Sequence, residues 1–303
     1  MAGVSRERDR GDGPEWGTLW LLATPIGTLD DLSARAGTVL EGADLILAED
    51  TRRAATVIRH LGAAPAGRVV SFNEHNEERR RGQALEVLER GGHVVLMSDA
   101  GTPVLSDPGF TLVREARKLG VRVLSVPGPS AFTAALAASG QPPLPAVLVG
   151  FLPPRKGPRR RRLEDLRSLP WTLVVLLSPH RLGEELADLA RVLGPDRPAT
   201  LLAELSKLHE RAEVGSLGDL AVGSEAGSPR GEYVLVVGPP GEVETSPGVD
   251  SEVVDAVYRE AVRRGLERAE ALRWTAAKLG VGRRQIFAVL AGGGREPLPE
   301  EEP

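Results

Sequence analysis

Short apolar runs alternate with polar loops and amphipathic stretches along most of the chain. Leu19-Trp-Leu-Leu-Ala23, Asp44-Leu-Ile-Leu-Ala48, Arg68-Val-Val-Ser-Phe72, His93-Val-Val-Leu-Met97 and Val121-Arg-Val-Leu-Ser-Val126 are short and lack helical spacing, so they read as five strands. The stretches between them read as helices. One runs from Ser33, whose hydroxyl can cap it, to about Glu41, and the next ends at about Leu61. Others cover about Glu78 to Arg90, start at about Phe110, and follow Ser130 to about Ser139. This strict alternation predicts a parallel sheet with helices on both faces.

Gln141-Pro-Pro-Leu-Pro145 stiffens the chain and reads as a domain boundary. The alternation then resumes, with strands at Val147–Phe151, Thr172–Leu177, Ala199–Ala203 and Gly231–Gly238, and helices near Arg161–Leu169 and Arg181–Leu193. From Ser251 the pattern is helical only. Thr275–Leu290 holds a helix, a Gly280-Val-Gly282 turn and a second helix from Arg283-Arg284, the spacing of a helix-turn-helix. A plain helical hairpin fits that pattern equally. The predicted organisation is a disordered tail at 1–17, an α/β domain at 18–141, a second α/β domain at 146–240, a helical module at 251–290 and a tail at 291–303.

In the first half, polar residues follow each strand directly, at 24–31, 49–52, 73–77, 98–108 and 127–130. A parallel sheet brings such loops together at its carboxyl edge, where open α/β folds hold ligands. The longest is Ser98-Asp-Ala-Gly-Thr-Pro-Val-Leu-Ser-Asp-Pro-Gly109, with Asp99 and Asp107 near its ends and Gly101 allowing close approach of backbone to a ligand. An ordinary connector capped by Asp107-Pro-Gly109 is the plain alternative. The loop is longer and more polar than a connector needs.

Charge and composition narrow the ligand. A net charge of −4 gives no general pull toward nucleic acid, so any such contact must be local. Arg155-Lys-Gly-Pro-Arg-Arg-Arg-Arg162 has six bases in eight positions, and Arg155, Lys156, Arg159, Arg160, Arg161 and Arg162 read as contacts to an RNA backbone, with Arg283 and Arg284 farther on. Aromatics are few and do not interleave with these charges, which favours a structured RNA read by shape over loose strands read by stacking. The lack of cysteine removes thiolate chemistry and fits a cytoplasmic protein. The five histidines show no metal spacing, no apolar run approaches a membrane span, and Met1–Gly17 has no signal-peptide core. No G-x-G-x-x-G follows the first strand and no G-x-x-x-x-G-K-[ST] occurs, so a phosphate cradle of those types is not expected. S-adenosylmethionine, nucleotide-like but without phosphates, suits these loops better. Its sulfonium needs carbonyls or carboxylates and apolar walls, not a helix N-terminus aimed at an anion.

Several motifs then carry a resemblance, in order from about residue 18 to 240. They are Thr24-Pro-Ile-Gly27 with Asp31, Ala48-Glu-Asp-Thr-Arg52, His75-Asn-Glu77, Ser98–Pro103 with Ser106–Gly109, Val126-Pro-Gly-Pro-Ser130, Gly150-Phe-Leu-Pro153, Ser178-Pro-His-Arg181 and Gly231-Glu232. With these the chain resembles the tetrapyrrole methylase superfamily of S-adenosylmethionine-dependent methyltransferases. Within it, the chain is similar to the ribosomal RNA small subunit methyltransferase I family, which methylates a cytidine 2′-hydroxyl of 16S rRNA. The resemblance implies two α/β/α domains of the class III methyltransferase type with the cofactor in the cleft between them, a small helix-turn-helix-like C-terminal module, a homodimer and no metal. It places the cofactor against the Ser98–Pro103 loop and the Pro127–Ser130 turn. The expected cofactor contacts are Pro25, Ser98, Asp99, Ala100, Gly101, Thr102, Leu105, Ser106, Pro127, Gly128 and Ser130. The chain departs from the family where Leu176-Leu177 replaces an aromatic and a glutamate, where Ala203 replaces an arginine, and where Thr28 replaces an asparagine. Loss of the glutamate and the arginine together would leave no orphan charge if the two pair in relatives.

The reaction needs a ribose hydroxyl held in line with the methyl–sulfur bond, and a nearby base would help. His75 with Glu77 is the best base-like pair by residue type, unless the histidine is merely a surface residue. Glu49 and Asp50, at a strand end, are expected to orient the ribose or to hold Arg52. Lys207 is a candidate phosphate contact. A methyltransferase acting on a tetrapyrrole, and a non-catalytic rRNA-binding assembly protein, are the competing readings.

Overall fold

The computed structural model describes residues 16–223, 231–240, 251–279, 286 and 290. The first sheet contains β1 (Thr18–Leu22), β2 (Leu45–Ala48), β3 (Arg68–Ser71), β4 (His93–Met97) and β5 (Arg122–Val126), in the order β3-β2-β4-β1-β5. All its pairings are parallel. The apolar runs lack polar alternation because both faces are covered. Leu45 and Leu47 join Leu19, Val94 and Leu96 in one core, while Ile46 and Ala48 turn to the other with Leu22, Val95 and Met97.

Helices follow each strand: α1 (Ala36–Glu41), α2 (Thr51–His60), α3 (Glu77–Glu89), α4 (Phe110–Lys118) and α5 (Ala131–Ala138). The first differs from expectation. Leu29–Asp31 forms a separate 3-10 turn and α1 starts only at Ala36. Ser33 does not cap the helix; its hydroxyl accepts a long 3.4 Å bond from the Arg35 N–H.

The second sheet contains β6 (Ala146–Phe151), β7 (Thr172–Leu177), β8 (Pro198–Ala203), β9 (Arg211–Ser216) and β10 (Tyr233–Val237), in the order β6-β7-β10-β8-β9. It is mixed. Only β6 and β7 pair in parallel; the other pairings are antiparallel. Repetition of the alternation does not predict this, and β9 goes unread in the sequence. Arg211-Ala-Glu-Val-Gly-Ser216 is an edge strand whose first four residues are exposed, so it carries no inward apolar stripe and rests on ladder hydrogen bonds to β8. The short α8 (Leu217–Gly223) after it carries no clear sequence signal either. α5 follows the first sheet in the chain but packs against β7 and β10 of the second, with Ala135 beside Val174 and Val234.

The arginine run forms the first turns of α6 (Lys156–Arg167), which starts five residues earlier than its apolar pattern suggests. Arg159 is therefore corrected as an RNA contact. Its side chain is 1% exposed, packed against α7 (Leu182–Leu193). Its Nε donates to Asp188 Oδ2 at 2.7 Å, its Nη1 to the Pro154 carbonyl at 3.1 Å and its Nη2 to Glu184 at 3.3 Å. Arg160 bonds the other Asp188 oxygen at 2.7 Å. Arg155, Lys156, Arg161 and Arg162 stay exposed.

The chain after Pro240 is a separate compact unit. It pairs α9 (Ser251–Arg263) with α10 (Arg268–Leu279) through Val254, Leu272 and Ala276, and Ile286 joins the same cluster. The predicted Gly280–Gly282 turn, the helix beginning with Arg283 and Arg284, and the two tails as far as residue 15 and from 291 lie outside the described residues.

Candidate active site

The carboxyl edge of the first sheet is stitched together by its loops. Thr24 and Gly101 form an isolated two-way bridge, Thr24 N–H to Gly101 O at 2.8 Å and Gly101 N–H to Thr24 O at 2.9 Å. Gly101 sits at φ +82°, a conformation that a side chain disfavours. The Thr24 hydroxyl also donates to the Ser98 carbonyl at 3.1 Å, fixing the start of the long loop. The β1 loop reaches the second sheet as well. The Thr28 hydroxyl donates to the Ser206 carbonyl at 2.5 Å, and the Ser206 hydroxyl bonds Asp31. A Cβ on Gly27 would lie 2.7 Å from that Ser206 carbonyl, so the approach requires glycine.

Between these two edges lies a cavity of about 320 Å³. Its polar side comes from the first sheet's loops: Glu49 after β2, Asp99 to Asp107 after β4, and Ser130 after β5. Its apolar side comes mainly from the second sheet's strands, with Leu148, Phe151, Leu176, Leu177, Tyr233 and Val234. Ile26 and Phe132 complete the wall. Convergent polar groups in an apolar cleft are what a small-molecule site requires.

The polar side is acidic. Asp99 Oδ1 accepts the Asp50 N–H at 2.9 Å, and its Oδ2 lies 3.5 Å from Arg53, the one Arg or Lys among the described residues that lines the cavity. Burial raises the Glu49 carboxyl above its usual value, and the charge of Asp99 adds to this. Burial, then the neighbouring Glu49, pushes Asp107 up to about 6. Asp107 Oδ2 is buried without a hydrogen-bond partner. The cavity can therefore accommodate a cation and hold a proton.

Of the expected cofactor contacts, Asp99, Ala100, Gly101, Thr102, Leu105, Ser106 and Ser130 line the cavity. Pro25, Ser98, Pro127 and Gly128 do not. Ser98 is buried beneath its loop, its hydroxyl 3.2 Å from the Gly101 carbonyl. A Cβ on Gly128 would lie 3.1 Å from that of Ala23, which places this turn against the β1 loop. Pro25 gives way to Ile26, its neighbour in the same loop.

Among the catalytic candidates, Glu49 alone lines the cavity. Asp50 caps α2 instead: it accepts the Arg52 N–H at 2.8 Å and bonds the Arg52 guanidinium at 2.6 Å, which holds its carboxyl down at about 2. His75 and Glu77 are not brought together as a pair. His75 is exposed, whereas Glu77 accepts a hydrogen bond from the Thr111 hydroxyl on α4. Lys207 is held by Glu204 at 2.9 Å and Glu232 at 3.3 Å. It borders the cavity only through Glu232.

Sequence reasoning does not single out Arg53 or the apolar wall. Arg53 follows the Ala48–Arg52 motif directly, and its position at the strand end is the signal that could have found it. Leu177 and Ala203 acquire a shared setting: both are cross-strand partners of Tyr233, one on each side. Both are 2% exposed, so apolar side chains suit them. Arg211, the partner of Ala203 on β9, donates to the Tyr233 hydroxyl at 3.0 Å, so a guanidinium still reaches this wall.

Residues 18–221 match the family described as Tetrapyrrole (Corrin/Porphyrin) Methylases. A ribosomal RNA small subunit methyltransferase I of Pseudomonas aeruginosa is 45% identical over 223 residues, 73% of this chain and 78% of that protein. One from Halalkalibacterium halodurans is 37% identical over 275 residues, 90% of this chain and 94% of that protein. Among solved structures, a uroporphyrin-III C-methyltransferase from Thermus thermophilus superposes with a TM-score of 0.52 at 26% identity, covering 73% of this chain and 94% of that one. With two stitched α/β sheets around an acidic, apolar-walled cleft, and with relatives this similar over most of both lengths, the chain belongs to the tetrapyrrole methylase family and, within it, to the ribosomal RNA small subunit methyltransferase I group.

Proposed function

We propose that this protein methylates the 2′-hydroxyl of a cytidine in the 16S RNA of the small ribosomal subunit, with S-adenosylmethionine as methyl donor. The observation that carries this reading is the cavity itself: apolar on one side, lined by Glu49, Asp99 and Asp107 on the other. That donor set suits a cationic, phosphate-free nucleoside. Bound there, the donor supplies an electrophilic methyl group on a positively charged sulfur.

The chain's own residues would do the rest. The Thr24–Gly101 bridge holds two loops in one geometry, the preorganisation that an in-line transfer needs. Leu148, Leu176 and Val234 exclude water from one side, which favours a transition state in which charge is lost. Glu49, with its raised carboxyl facing the cavity, is the proposed acceptor of the hydroxyl proton. Arg155, Lys156, Arg161 and Arg162, exposed at the start of α6 a few residues beyond the cavity-lining Phe151, would meet RNA phosphates. Arg283 and Arg284 remain part of the proposed RNA surface on sequence alone. The reading includes a homodimer acting in the cytoplasm; among the described residues no helix is long and apolar enough to cross a membrane.

Incubation with labelled S-adenosylmethionine and either small ribosomal subunits or uroporphyrinogen tests this. Label on a cytidine ribose is the expected result. Label on the tetrapyrrole, or RNA binding without transfer, overturns it.

A further inference from the structure

Three acidic residues line one cleft, and the folded chain offsets their charge only in part. Asp99 is the best satisfied, with the Asp50 N–H and a long 3.5 Å contact to Arg53. Glu49 shares the cavity with it, faces Arg53, and feels Glu74 from the β3 loop as a further negative charge. Asp107 has the Ser98 hydroxyl and the two neighbouring acids, and one of its oxygens is buried and partnerless. Glu232 enters from the second sheet, already engaged by Lys207 at 3.3 Å. Like charges that share a partly buried cleft repel, because water screens them only in part. A positive charge placed among them relieves that repulsion, and a neutral ligand of the same shape does not.

Resting on the cofactor reading above, we infer that Asp107, together with Glu49 and Asp99, makes the cavity distinguish the cationic methyl donor from its neutral-sulfur product. Methyl transfer then weakens the hold on its own by-product. The ribose oxygen gains the methyl and gives its proton to Glu49, while the electron pair of the broken bond stays on sulfur, which becomes neutral. The acids lose their partner at the moment the donor is spent. The selectivity belongs to the ionised cluster. It is greatest above the Asp107 value of about 6 and fades as the pH falls through it, because a protonated Asp107 no longer favours a cation.

The test is calorimetric and needs no turnover. S-adenosylhomocysteine represents the product. Sinefungin, which carries an ammonium where the donor carries its sulfonium, represents the cationic donor. At pH 8 the wild-type protein is expected to bind sinefungin at least ~10-fold more tightly than S-adenosylhomocysteine, the factor that one unit of carboxyl shift represents. At pH 5 the ratio should be several-fold smaller. Asp107→Asn should reduce the pH 8 ratio several-fold and weaken its pH dependence, while S-adenosylhomocysteine binding is kept or improved. A wild-type ratio equal at the two pH values overturns the inference, and so does an unchanged ratio in Asp107→Asn. If that variant does not fold, Glu49→Gln takes its place beside the wild-type pH comparison. Failure of both ligands to bind at either pH removes the cofactor reading itself, a different result from equal binding of both.

Discussion

The two sheets contribute to the cleft in opposite ways. The first offers what lies beyond its strands: Glu49, Asp99, Asp107 and Ser130 all sit in loops or at helix starts along its carboxyl edge. The second offers mainly the strands themselves, with Leu148, Leu176 and Val234 presenting an ordinary apolar face. Their charges differ in the same sense. The first sheet leaves carboxylates incompletely paired at the site, whereas the second buries Arg159 in a finished clamp with Asp188, Glu184 and the Pro154 carbonyl. The acidic side of the cleft is left open, whereas the charge between α6 and α7 is closed by its own partners.

That contrast can be broken by experiment. Glu49→Gln should lower the turnover rate by about 10²–10⁴-fold, the usual range for a lost proton acceptor. Its melting temperature should not fall; a variant that unfolds but turns over normally per folded molecule would reverse the assignment. Asp188→Ala should do the opposite, costing about 3–5 kcal/mol in denaturant titrations by stranding buried Arg159. The double replacement Arg159→Met with Asp188→Leu should recover much of that, since it removes both charges together. Full stability of Asp188→Ala would show that Glu184 suffices for the arginine.

The exposed part of the same helix should behave as neither. Alanine at Arg155, Lys156, Arg161 and Arg162 together is expected to leave stability within about 0.5 kcal/mol per site. It should weaken binding to small-subunit RNA and flatten the salt dependence of that binding by about 0.7 to 0.9 for every phosphate that is no longer neutralised. An unchanged salt slope removes this surface from the RNA interface.

The smallest effect concerns Asp107. Its carboxyl is raised in the folded state, so its contribution to stability is full below the ordinary carboxylate value of 3.8, falls as the pH rises above that, and is gone beyond about 6. Asp107→Asn should therefore raise the melting temperature of the ligand-free protein by a few degrees at pH 8 and by clearly less at pH 5. Sites shaped for ligands commonly trade stability in this way. Equal shifts at the two pH values would mean that the carboxyl is not strained.

Particular residues show how far local pattern can lead. Asp99 and Asp107 stand out because a polar loop of that length between a strand and a helix has no packing reason to exist. Glu49 stands out as a carboxylate at a strand end, though nothing local separates it from Asp50. The separation comes from helix geometry: Asp50 takes the cap position of α2 and turns its side chain onto Arg52. Arg159 is hidden for the same kind of reason. A run of bases looks alike at every position, and only the periodicity of α6 against α7 turns one of them into the core. Leu177 and Tyr233 cannot be picked out as a site wall, since apolar strand residues carry no mark of which face meets a ligand.

Local pattern was enough for the strands of the first sheet and for the polar edge they share, because these depend on neighbours a few residues apart. Only the folded molecule shows the mixed order of the second sheet, the inward turn of Arg159 and which strand residues wall the cleft. Those depend on residues far apart in the chain, such as Thr28 with Ser206 at a separation of 178, which no local pattern encodes.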